Sequence, residues 1–145
     1  MAGEAVALTD LLADLRAELS ARIRAAGLQL QWQSALPGQA GLQSVRPQAA
    51  LALARILSEA VRNAISHGGA SRIEVLVQVL EECLLVRVRN DGPATDPATW
   101  RAGLGMQSLL RRVQRLGGHL QWQALGSGGT VMEARLPLNA LQEPG

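Results

Sequence analysis

Three polar side chains recur at a spacing of four within LALARILSEAVRNAISH: Glu59, Asn63 and His67. At the pitch of an α-helix this spacing spreads them over roughly 80° of one face. Leu53, Ile56 and Ala60 lie on or beside that face, which puts Asn63 inside the apolar stripe and Glu59 at its margin. A buried amide without a partner costs about 1–3 kcal/mol. Asn63 therefore needs a backbone group, a water or a bound metal, and a purely structural polar residue fits the spacing as well. His67 falls at the helix end, where capping or a dipole interaction is its plain reading.

A second group of residues lies downstream. A strand closes in Val88-Arg89-Asn90-Asp91-Gly92-Pro93, and Gly103-Leu104-Gly105 opens a helix. Free N–H groups at a helix start, approached closely because glycine carries no side chain, suit a phosphate. A single Gly-x-Gly is weak on its own. Asn90 or Asp91, at a strand end beside this loop, could accept a hydrogen bond from a base amino group; an ordinary Asp-Gly turn explains the same residues.

Helical periodicity predicts a first helix over residues 8 to 26, stopped by Gly27, and a second from Pro47 to Gly68-Gly69. A third is predicted over about Met106 to Leu116, ending at Gly117-Gly118. Alternation predicts strands at Leu28 to Ser34, Arg72 to Val79, Leu84 to Asn90, 119 to 125 and 130 to 137. Glu81-Glu82 and Gly126-Ser127-Gly128-Gly129 supply hairpin turns. The order α-β-α-β-β-loop-α-β-β implies a two-layer α+β (α/β) sandwich. Its sheet would be mixed and largely antiparallel, of about five strands, with three helices on one face. The expected domain is single over 1–145, with a core at about 8–138 and a flexible tail at 139–145.

Composition narrows the function classes. All 14 basic residues are Arg, against 12 acidic residues, so the net charge is only +2. No basic stripe with aromatic support appears, which argues against a nucleic-acid partner. No apolar run reaches the roughly 18 residues of a membrane span. The single Cys83 fits a reducing, cytoplasmic setting and reads as a buried structural thiol on a strand. With no Phe or Tyr and three Trp, aliphatic side chains must fill the core.

Taken together these segments resemble the ATPase domain shared by histidine kinases, gyrase-type topoisomerases and related chaperones, and most closely the nitrate-sensor-like histidine kinases. SEAVRNAISHGGAS (58 to 71) resembles the N box, VRNDGP (88 to 93) the first glycine box, GLGMQSLLRRVQRLGGHL (103 to 120) the second, and GGTVMEARLPL (128 to 138) the closing strand. The order and spacing of these motifs are more specific than any one of them.

The resemblance implies ATP and Mg²⁺ as cofactors. Asn63 would hold Mg²⁺, and Glu59 would orient or polarise a water or the nucleophile. Asn90 would meet the adenine amino group, with Gly92 allowing close approach. Gly103 and Gly105 would cradle phosphates, His67, Leu104 and Met106 would complete the nucleotide site, and residues 93 to 102 would form a mobile lid. Trp100 and Arg101 are optional lid contacts; a solvated Arg is the plainer reading of Arg101. Three departures stand out: Asn90 replaces the usual Asp, Ala94 a glycine, and Ser66 a basic residue.

The phosphoacceptor histidine of such kinases lies on a separate dimerisation domain, and the first helix here contains no His. The expected partners are that histidine-bearing domain and a downstream response regulator. This domain should make no membrane contact and be a monomer in isolation. Two alternatives carry weight. One is an anti-sigma-type serine kinase, which the long final hairpin disfavours. The other is a degenerate nucleotide-binding or docking module, in which Arg111, Arg112 and Arg115 would dock a partner rather than form a solvated helix face.

Overall fold

The computed structural model describes residues 5–36, 44–92, 104–126 and 128–142, with backbone alone at 67, 68, 104 and 105. Residues 93 to 102, expected from the sequence to form a lid and including Ala94, Trp100 and Arg101, and Gly103, expected to cradle phosphate, lie outside the described residues.

Helix α1 (Leu8–Ala25) buries Leu8, Leu12, Leu15, Leu19 and Ile23, one stripe at helical spacing. Gly27, at φ 78°, turns the chain into β2 (Gln29–Ala35). Helix α2 (Pro47–Gly68) starts with Pro near its first position, where no N–H is missed, and stops at Gly69 in the left-handed region at φ 51°. It buries Ala49, Leu53, Ile56, Leu57, Ala60, Val61 and Ala64.

Strands β4 (Arg72–Leu80) and β5 (Cys83–Asn90) form a hairpin with Glu81 at φ 55° in its turn. Helix α3 (Leu104–Arg115) leads into the hairpin of β6 (His119–Ala124) and β7 (Thr130–Pro137).

The five-stranded sheet runs β2-β4-β5-β7-β6. Only β2 and β4 pair in parallel, because α2 carries the chain back across the sheet between them. Ile73, Val75, Val77, Leu84, Val86, Val88, Met132, Ala134 and Leu136 alternate onto the buried face. There α1 packs on β2, α2 on β4, β5 and β7, and α3 on β6. The opposite face is mostly polar, with Leu76 and a buried Leu85 among its charged and amide side chains. Arg87 pairs with Glu133 at 2.8 Å and Arg89 with Glu74 at 3.7 Å, both across strand partners. These part-exposed pairs fix register more than they stabilise. The sheet and its helices are the expected two-layer α+β arrangement.

Three features depart from the sequence reading. Residues 6–7 (β1) and 44–45 (β3) pair in a small antiparallel ladder, which two-residue strands cannot announce by alternation. Directly after Pro137, where the sequence reading expects a flexible tail, Leu138–Leu141 form a short helix, α4, with Leu141 fully buried. Arg46 binds α4, its backbone N–H donating to Leu141 O at 2.9 Å and its Nε to Ala140 O at 2.7 Å. Cys83 opens β5 half-buried rather than buried. No helix among the described residues is long and apolar enough to cross a membrane.

Asp91, just past β5, ties the start of β4. Its carboxylate accepts from Ser71 Oγ at 2.7 Å, Ser71 N at 2.8 Å and Arg72 N at 2.9 Å. The Ser71 hydroxyl first, then the Arg72 and Ser71 amides, hold its pKa down at about 2 from 3.8. The folded value lies below the unfolded one, so the contribution is present above about pH 4 and lost as pH falls through 2. Melting curves should show Asp91→Ala less stable than wild type at pH 5, with the gap closing towards pH 2; a constant gap would exclude this linkage.

Candidate active site

The C-terminal half of α2 and the first two turns of α3 face each other. Asn63 lies half-buried between Ala60 and Ala64, and its Nδ2 donates to Met106 Sδ at 2.7 Å. Met106 is itself 3% exposed. Two residues predicted from separate motifs, Asn63 and Met106, are thus in contact.

One turn earlier on α2, Glu59 Oε1 accepts from Ser108 Oγ at 3.2 Å and from Arg112 Nε at 3.1 Å. Glu59 Oε2 is buried and has no hydrogen-bond partner among the described residues. Arg112 is therefore not part of a solvated helix face. Its side chain is 23% exposed and is committed to Glu59, while Arg111 and Arg115 are exposed. The signal for this was the i,i+4 spacing of Ser108 and Arg112, which puts both on the face turned to α2. His67, Leu104 and Gly105 follow their helices in backbone, and the side chains of His67 and Leu104 lie outside the described residues. The Ser66 hydroxyl donates to Arg62 O at 2.6 Å, one turn back on its own helix.

The second part of the site lies at the end of β5. Alternation places Asn90 on the buried face with Val86 and Val88, 3% exposed. Its Oδ1 accepts from Gly92 N at 3.0 Å, and Gly92 is buried. Asp91 spends its carboxylate on Ser71 and Arg72. Of the two acceptors that the sequence left open, Asn90 is the one turned inward.

Opposite Asn90 in the β5–β7 register stands Thr130, 2% exposed, whose Oγ1 has no partner among the described residues. Sequence reasoning missed Thr130, since its burial depends on register. A buried hydroxyl left unpaired is costly, and a ligand or water held against it would relieve the cost.

Among the described residues there is no cluster of three His, Cys, Asp or Glu that would cage a metal. A divalent cation at Asn63 would thus take most of its oxygens from phosphate and water, as Mg²⁺ commonly does. An amide beside a half-committed carboxylate is an oxygen donor set that suits such a hard cation.

Solved structures share this fold. The catalytic domain of histidine kinase ThkA superposes with a TM-score of 0.72 at 19% identity, over 95% of this chain and 97% of that one. Full-length ShkA in complex with AMPPNP gives 0.75 at 19% identity, over 98% of this chain and 32% of that one. The histidine kinase domain of a blue-light activated kinase from Erythrobacter litoralis gives 0.69 at 25% identity, over 89% and 61%.

Among sequences, the sensor histidine kinase YxjM of Bacillus subtilis is 33% identical over 96 residues, covering 66% of this chain and 23% of that protein. DegS of the same organism, a histidine-protein kinase/phosphatase, is 26% identical over 106 residues, covering 70% and 28%. The chain spans about a quarter of the length of these relatives. The family model described as histidine kinase-, DNA gyrase B-, and HSP90-like ATPase matches residues 48–140, more than half of the chain, and the chain belongs to that family.

Proposed function

We propose that this chain is the ATP-binding catalytic domain of a sensor histidine kinase. It would hold Mg²⁺·ATP and deliver the γ-phosphoryl group to a histidine on a separate dimerisation domain. The observation that carries this is the convergence of Asn63 and Glu59 on the first turns of α3, the helix that begins at Leu104 with Gly105 in its first turn. Full-length sensor kinases resemble this chain over only part of their length, which suits a catalytic module working with a histidine-bearing domain and a response regulator, on the cytoplasmic side.

Each residue then has a task. The Asn90 carbonyl oxygen has a second lone pair, beyond the one used by Gly92 N–H, with which to accept from an adenine amino group. Thr130 Oγ1 lies beside it as a hydroxyl that can donate to the base or to a bridging water. Asn63 contributes one amide oxygen to Mg²⁺, which would neutralise phosphate charge and fix the geometry of transfer. Gly103, Leu104 and Gly105 would offer backbone N–H groups to phosphate, with His67 at the far side of the N box. The Glu59 Oε2 atom takes or orients the proton of the nucleophile.

Calorimetric titration of the chain with a non-hydrolysable ATP analogue, with and without Mg²⁺, tests the reading. Mg²⁺-dependent binding near one to one is expected. A folded sample that binds nothing at millimolar nucleotide would instead favour a degenerate docking module, for which the neutral Asn90 would be the first cause to examine.

A further inference from the structure

We propose that Arg112 and Ser108 are positioning residues for phosphoryl transfer, acting through Glu59; this rests on the kinase reading above. Glu59 and Arg112 lie 53 residues apart and on different helices, and they meet with both side chains about four-fifths buried, 20% and 23% exposed. The two donors, Arg112 Nε at 3.1 Å and Ser108 Oγ at 3.2 Å, fall on the same carboxylate oxygen, Oε1. Oε2 is left buried, without a partner among the described residues. A carboxylate held by one oxygen cannot rotate freely, so its second oxygen points in one direction. Arg112 also sets a cation against this largely buried carboxylate, which offsets part of the cost of desolvating it.

The clasp thus does two things. It aims Oε2, and it joins α3 to α2 one turn from the Asn63–Met106 contact. The glycine-flanked start of α3 and the amide of Asn63 are then held in one frame.

The step that this serves balances simply. The nucleophile, a histidine imidazole nitrogen or a water oxygen, bonds to the γ-phosphorus as the bond to the β–γ bridging oxygen breaks. ADP leaves with that electron pair, and the proton lost by the nucleophile goes to Oε2. Arg112 is assigned no contact with nucleotide or nucleophile; its described side-chain partner is Glu59.

The test is a pair of double-mutant cycles on Glu59→Gln and Arg112→Ala, with Arg112→Lys as the conservative variant. In the first, urea unfolding of the chain measures whether the two side chains interact; their effects should be non-additive. In the second, kcat and KM for Mg²⁺·ATP are measured with a supplied histidine-bearing dimerisation domain and, separately, as phosphate release to water.

Arg112→Ala should lower kcat at least tenfold and leave KM within about threefold, while Arg112→Lys recovers part of the loss. In the Glu59→Gln background the Arg112→Ala change should cost almost nothing further. Additive unfolding effects, an equal kcat penalty in both backgrounds, or a loss confined to KM would each overturn the proposal. A wild-type chain that binds no nucleotide would instead refute the kinase reading, and the unfolding cycle would still decide whether the clasp exists.

Discussion

Asn63→Ala should lower affinity for Mg²⁺·nucleotide about 100-fold, or roughly 2.7 kcal/mol, while leaving the fold intact. The two halves of this expectation have separate causes. Removing the amide deletes the oxygen proposed to bind the cation, and among the described residues no cluster of three acidic or imidazole groups could replace it. The cost to the fold is small. Asn63 is half-buried, its described hydrogen bond is a weak amide-to-thioether contact with Met106, and alanine is the better helix former by about 0.5 kcal/mol. Melting temperature should therefore hold or rise slightly as binding is lost. In EDTA the wild type and the variant should bind nucleotide alike, since the role proposed for the missing group is through the metal. Unchanged affinity in Mg²⁺ would remove Asn63 as a ligand.

The elements that sequence made legible are those with strong local signals. Helix α2 announces itself by an apolar stripe framed by Pro47 and Gly69, and the β4–β5 and β6–β7 hairpins by alternation around short turns. What stayed hidden depends on contacts distant in sequence. Val6 and Val45 pair in strands too short to alternate. Pro137 reads as a stop, yet Leu138 and Leu141, three apart, share a face and bury it as α4. Arg112 reads as one charge in a basic run until tertiary packing sets it against Glu59.

The site shows the same division. Residue chemistry alone left Asn63 open between backbone, water and metal, and the resemblance of whole motifs narrowed it. Thr130 could be found only through its register with Asn90, which no local pattern encodes.

Gly129→Ala should be the most damaging small substitution on the nucleotide side of the sheet, lowering stability on the order of 3 kcal/mol. Gly129 lies at φ 93°, where an L side chain is strained. A Cβ built there would run into the Asn90 carbonyl oxygen and lie 3.3 Å from its carbonyl carbon and 3.5 Å from Asp91 Cα. Those neighbours are backbone and cannot swing aside.

The strain falls at the Asn90–Thr130 pair, which closes the β5–β7 ladder. Relief would require β7 to move away from β5, separating the inward amide of Asn90 from the Thr130 hydroxyl. Thermal unfolding should fall by about 10 °C, and nucleotide affinity should weaken with it. Gly126→Ala is the matched control, in the same hairpin but with nothing within 4 Å of a built Cβ. It should change stability by no more than about 0.5 kcal/mol. Equal tolerance of both alanines would mean that β5 and β7 do not approach as closely at Gly129 as described, and the pairing of Asn90 with Thr130 as one recognition surface would fall with it.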